Sequence, residues 1–202
     1  MIISLINLKG GVGKTTAAIA LATAAARDGH DVTVYDADQQ SSASLWALNA
    51  ADADDALPFD VVSANIATIR SLGKEISGSE SKWAFIDCPP NGRVVDEAMR
   101  VSNLVIIPTT TGPADMAKAF ETAETLSEND IYYAILLNRV VSRTLTLKQS
   151  LSEMDERDAS YFEARIPQRE ILKNFFGNSF GDELYGYEKV YEEVKECLAN
   201  GN

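Results

Sequence analysis

The sequence predicts an α/β protein built on a mostly parallel, twisted sheet with helices on both faces, a three-layer α/β/α arrangement. Two observations carry that prediction. Short segments that are apolar throughout recur along the chain, and strands of that kind are buried on both faces. The intervals between them leave room for a helix, as parallel crossovers require. A third observation is positional: the glycine-rich stretch "KGGVGKTT", residues 9–16, follows the first apolar run and opens an alanine-rich segment.

Taken in order, "IISLINL" is a short buried strand that ends at the glycines. "TTAAIALATAAARDG" is a helix, favoured by its alanines and stopped at Gly29. "DVTVYDAD" alternates β-branched and aromatic residues, a second strand. "FDVVSA", "KWAFIDCPP", "NLVIIPT" and "IYYAILLNRV" continue the series, and "YFEARIP" is a weaker seventh candidate. "NAADADDALP" is an acidic surface loop and "SGSESK" a flexible turn. "LYGYEKVYEEVKECLANGN" closes the chain as a helix with a frayed end. Without a long linker, repeat or low-complexity tract, residues 1–202 are expected to form one domain.

The bulk numbers narrow the class. A chain that is 46% hydrophobic and 24% charged is an ordinary globular composition. Cys88 and Cys197 lie far apart with no second thiol to complete a metal pair, which fits a reducing, cytoplasmic setting. The N-terminus has no basic region or cleavage site, and no apolar stretch is long enough for a membrane span. The net charge of −12 opposes nucleic-acid binding as a whole, yet residues 139–173 hold seven basic against six acidic side chains. Arg139, Arg143, Lys148, Arg165, Arg169 and Lys173 are therefore the candidate DNA stripe. A mixed-charge solvated face is the competing reading of the same residues.

The glycine stretch carries the chemistry. Gly10, Gly11 and Gly13 let the backbone around Val12 curl so that its N–H groups point inward, and the helix that follows adds its positive dipole end. Lys14 reaches the β- and γ-phosphates of a nucleotide, and Thr15, followed by Thr16, offers a hydroxyl to Mg²⁺. The general pattern G-x-x-x-x-G-K-[ST] fails at its first glycine, because residue 8 is leucine, and Lys9 is surplus to it.

Both departures match one family. "KGGVGKTT" resembles the deviant Walker A motif of the ParA/MinD ATPases, P-loop NTPases whose loop opens with a signature lysine and needs no glycine at the position of Leu8. The resemblance implies that Lys9 crosses a dimer interface to the nucleotide of the other subunit. Physically, a triphosphate enclosed between two protein faces needs more cations than Lys14 and one Mg²⁺ supply. The alternative for Lys9 is a solvated loop lysine.

Three carboxylates complete the candidate site. "VTVYDADQQ" resembles the family's D-x-D-P-Q motif, with Gln39 in place of the proline. By that match Asp38 orients or activates the attacking water and Asp36 supports the magnesium shell. Strand-end aspartates also cap helices, so a cap is the competing role for one of them. "WAFIDCPP" places Asp87 as the Walker B acid that holds a Mg²⁺-bound water. "NGR" after it resembles switch II, and "IIPTTTGPADM" resembles the strand and loop near the dimer face. Asn138 and Pro167 match positions where the family meets adenine, although Asn138 is equally a turn residue.

The acidic end "YEEVKECLANGN" argues against a MinD-type membrane helix. Small plasmid-type ParA proteins without a helix-turn-helix domain fit best. The expected function is an ATP- and Mg²⁺-dependent dimerisation switch for DNA partition, with non-specific DNA contact and a ParB-like partner bearing a basic flexible tail. Positioning of another cargo, and a metabolic P-loop enzyme of the dethiobiotin-synthetase type, are the alternatives.

Overall fold

The computed structural model describes residues 1–76, 79 and 81–200. Its centre is a six-stranded sheet of β1 (Ile2–Leu5), β2 (Asp31–Asp36), β3 (Asp60–Ser63), β4 (Lys82–Asp87), β5 (Leu104–Thr109) and β6 (Tyr133–Leu137). The order is β3-β2-β4-β1-β5-β6, and every pairing is parallel. The helices are α1 (Lys14–Arg27), α2 (Ser42–Asp52), α3 (Ile66–Glu75), α4 (Arg93–Val101), α5 (Pro113–Glu128), α6 (Leu145–Glu156), α7 (Glu170–Lys173) and α8 (Tyr187–Asn200).

Alternate residues of the central strands enter two separate cores. Ile3, Leu5, Phe85 and Ile106 face α1, α2 and α8 on one side. Ile2, Ile86, Val105 and Ile107 face the side covered by α3, α4, α5 and α6. That two-sided burial is why these strands read as continuous apolar runs. The alanines of α1 give high helix propensity and a thin contact face, so the helix lies close against the sheet. It ends where Gly29 takes φ +90, a left-handed conformation that suits glycine.

Two sequence expectations change. "YFEARIP" does not form a seventh strand; it makes only the isolated bridges Ile135↔Tyr161 and Val140↔Pro167 beside β6. The reason is local. The Glu193 carboxylate on α8 accepts hydrogen bonds from the Glu163 and Ala164 N–H groups at 2.7 Å each, pulling the segment's middle off the ladder. The acidic loop "NAADADDALP" begins as helix, since α2 continues through Asp52. Of "SGSESK", residues 77, 78 and 80 lie outside the described residues, as do 201 and 202 at the expected frayed end. Cys88 and Cys197 are both free thiols, the former buried.

Replacing Glu193 by Ala leaves two backbone donors of residues 163–164 without their acceptor. Urea unfolding is expected to show a loss of about 1 kcal/mol. A variant as stable as the parent would mean that water replaces the carboxylate at no cost.

Candidate nucleotide-binding site

The glycine loop joins β1 to α1 at the C-terminal edge of the sheet. Gly11 and Gly13 have φ of +76 and +96, and a Cβ on Gly13 would lie 2.8 Å from Asn138 Nδ2. Around Gly10 and Gly11 the space a Cβ would fill is open, leaving a cradle for a ligand. Gly13 offers no side-chain cap to α1, so the first-turn N–H groups point into that cradle unpaired by the helix.

Lys14 is buried, and its ammonium donates to the carbonyls of Lys9 (3.1 Å) and Asn7 (3.4 Å). Burial lowers its pKa, opposed by the nearby charges of Asp87 and Asp38. Beside it, Thr15 Oγ1 donates to Asp87 Oδ2 at 2.7 Å. Asp87 is 1% exposed, and its other oxygen, Oδ1, is buried without a hydrogen-bond partner among the described residues. Burial raises this carboxyl to about 7; the Thr15 bond opposes the rise, and the carboxylates of Asp36 and Asp38 add to it. A threonine hydroxyl next to an orphaned carboxylate oxygen is the donor set Mg²⁺ takes in P-loop proteins, so the residues fit the cation.

The two aspartates after β2 separate in role. Asp36 Oδ2 accepts from Ser44 N (2.8 Å) and Ser44 Oγ (2.7 Å), satisfying an orphan donor in the first turn of α2, while Oδ1 accepts from Asp38 N at 3.3 Å. The cap reading thus applies to Asp36. Among the described residues the Asp38 carboxylate accepts one hydrogen bond, from Gln40 N to Oδ1 at 3.0 Å, and the residue lines the cavity.

Lys9 is half-exposed, and its ammonium is held away from the chain's own cradle. Its ammonium is ion-paired with Asp115 in the first turn of α5, where Thr110 Oγ1 also donates to the same carboxylate. Burial would raise the Asp115 carboxyl, but the hydrogen bonds from Lys9 and Thr110 and the Lys9 charge bring it below the usual value. Asn7, fully buried, sets the lysine's backbone: it accepts from Lys9 N (2.8 Å) and donates to Pro108 O (2.9 Å).

A cavity of about 970 Å³ opens above the loop, walled by Gly10, Gly11, Lys14, Asp38, Pro89 and Arg93 among others. It adjoins a second of about 520 Å³ whose lining includes both Asn138 and Pro167. Asn138 also has a structural task, donating to Val12 O at 3.0 Å; its Oδ1 is left buried and unpaired. Trp46 and Phe176, missed in the sequence, stand between the two cavities with ring centroids 5.2 Å apart. Only their aromatic character signalled them. Asp115 was also missed; an acid in a helix's first turn was the available signal.

Of the candidate basic residues, Arg139, Arg169 and Lys173 line the smaller cavity together, and Arg139 also lines the larger. Arg165 lines a further cleft, near the end of α1 and the start of α8, that shares Arg169 with the smaller cavity. Arg143 and Lys148 lie exposed at the entry to α6.

A family model for the CobQ/CobB/MinD/ParA nucleotide-binding domain matches residues 3–178. The chain belongs to that family, and its sheet is that of the MinD/ParA P-loop NTPases. Among relatives, it is 31% identical over 169 residues to the maintenance of carboxysome distribution protein A of Gloeobacter kilaueensis, covering 82% of this chain and 76% of that protein. It is 34% identical over 160 residues to protein virC1 of Rhizobium radiobacter, covering 74% and 69%. In fold it matches MinD of Pyrococcus horikoshii complexed with Mg-ADP (TM-score 0.77, 20% identity, 100% and 98% coverage). It also matches a Borrelia burgdorferi plasmid partition protein bound to AMPPNP (TM-score 0.75, 20% identity, 100% and 99% coverage).

The folded-state pKa of Asp87 lies above the roughly 3.9 of an unfolded aspartate, so the nucleotide-free native state binds the extra proton between about pH 4 and 7. Stability therefore falls as pH rises through that window. Asp87→Asn removes the buried charge and is expected to stabilise the metal-free protein at pH 8 by about 1–3 kcal/mol, read by thermal melting against pH 5. A variant less stable than the parent at pH 8 would contradict the assignment.

Proposed function

We propose that this chain is an ATP-dependent switch that binds ATP with Mg²⁺, pairs with a second copy, and hydrolyses slowly until a partner stimulates it. One observation carries the reading: the open glycine cradle with Lys14 at its base meets the Thr15–Asp87 pair, whose orphaned Oδ1 lacks a partner. In this reading the backbone of residues 10–16 holds the α- and β-phosphates, and Lys14 compensates the β- and γ-phosphates. Thr15 and Asp87 hold the cation, which supplies charge neutralisation at the bridging oxygens. Asp36 adds negative charge behind it. Asp38 orients the attacking water, and Asn138 and Pro167 flank the base.

Lys9 acts between copies. In a single chain Asp115 holds it; on pairing, its ammonium exchanges that carboxylate for the neighbour's phosphates. The switch serves positioning or partition of cargo, in its finer form plasmid or chromosome segregation with a ParB-like partner bearing a basic tail. Positioning of another cargo is the second reading, favoured by the relative named for carboxysome distribution. DNA contact in either case falls to Arg139, Arg143, Lys148, Arg165, Arg169 and Lys173, against a net charge of −12.

Lys9→Ala, studied by analytical ultracentrifugation with a hydrolysis-resistant ATP analogue, is expected to stay monomeric where the parent pairs. Its turnover is expected to drop about tenfold or more. Pairing and turnover equal to the parent's would refute the switch.

A further inference from the structure

Within a single chain, the nucleotide reading leaves a charge deficit at the third phosphate. Asp38 lines the cavity, and the buried carboxylates of Asp36 and Asp87 lie close by, with one ammonium, Lys14, among them. A triphosphate adds more negative charge, and one divalent cation offsets only part of it. Lys9 does not serve this role within its own chain, because Asp115 holds its ammonium.

Two other cations border the cavity, Arg139 and Arg93. The sheet order separates them. Arg139 follows β6 beside Asn138, whereas Arg93 follows β4 on the other side of β1, whose glycine loop lies between. The base-side cavity opens toward Asn138 and Pro167. The phosphate end of a ligand thus points toward the loops after β2 and β4, where Asp38 and Arg93 stand.

Arg93 is exposed, and among the described residues no carboxylate pairs with it. Its neighbours differ: Arg70 and Arg100 are both ion-paired to Glu97 on α4. Gly92, just before it, has φ +114, which a side chain would strain, while no atom lies near where its Cβ would be. The glycine is therefore there for backbone conformation, and it sets Arg93 as the first residue of α4 at the cavity wall.

We propose that Arg93 is a ligand, from within the same chain, of the terminal phosphate of the bound nucleoside triphosphate, and that it discriminates triphosphate from diphosphate. This rests on the nucleotide reading above. The planar guanidinium binds two phosphate oxygens at once, which a lysine ammonium does not reproduce. Its contact is lost with the phosphate, so the start of α4 is tied to the cavity only before hydrolysis.

The test measures binding of fluorescent ADP and of a fluorescent hydrolysis-resistant ATP analogue, both with Mg²⁺, together with phosphate release. It compares the parent, Arg93→Ala and Arg93→Lys, with melting curves to verify folding. Arg93→Ala is expected to lose about tenfold in analogue affinity and tenfold or more in turnover, with ADP affinity within about twofold. Arg93→Lys is expected to fall between. An unchanged preference for the analogue, or equal loss for both nucleotides, overturns the proposal. A parent protein that binds neither nucleotide refutes the nucleotide reading itself, a result separable from either.

Discussion

Leu5 and Asp87 stand side by side in the parallel register of β1 and β4, and the site depends on that pairing. It brings a glycine loop and a carboxylate, separated by more than seventy residues of chain, to the same sheet edge. A carboxylate as buried as Asp87 is costly when ionised unless something positive shares its pocket. The Thr15 hydroxyl and the Lys14 ammonium supply part of that compensation. In the proposed reading, the remainder comes from a divalent cation held by Thr15 and Asp87.

The second constraint is the placing of Lys9. Asn7 fixes its backbone, and Asp115 holds its side chain at the mouth of the site. The lysine is half-exposed there, at 42%, so its ion pair is weakly worth keeping against a more strongly charged acceptor. In the proposed reading, that acceptor is the nucleotide held by a second copy. The acidic balance elsewhere, −12 overall, favours cationic partners and makes any contact with a duplex depend on local grouping.

How much of this was legible in the sequence follows from how local each feature is. The strands of the sheet could be read because burial on both faces writes itself as unbroken apolar runs. The glycine loop was legible because spacing alone defines it. "YFEARIP" misled because its composition is that of a strand, while Glu193, thirty residues away, captures its backbone donors. Asp36 and Asp38 were ambiguous for a similar reason: Ser44 decides between them, and nothing in "DAD" says where α2 will present its first turn. Asp115 and Arg93 acquire meaning only when α5 and α4 are set against the loop. The candidate basic stripe was a grouping along the chain; the fold sets Arg139, Arg165, Arg169 and Lys173 around adjoining cavities, with Arg143 and Lys148 exposed near the start of α6.

The most direct measurement is ATP affinity with and without Mg²⁺, by calorimetry, for the parent and for Thr15→Ala. The account predicts that Mg²⁺ tightens ATP binding in the parent by about tenfold or more, and that the variant loses most of this gain. Equal affinity in Mg²⁺ and in a chelator, or a full magnesium effect without the Thr15 hydroxyl, would contradict a cation held between Thr15 and Asp87.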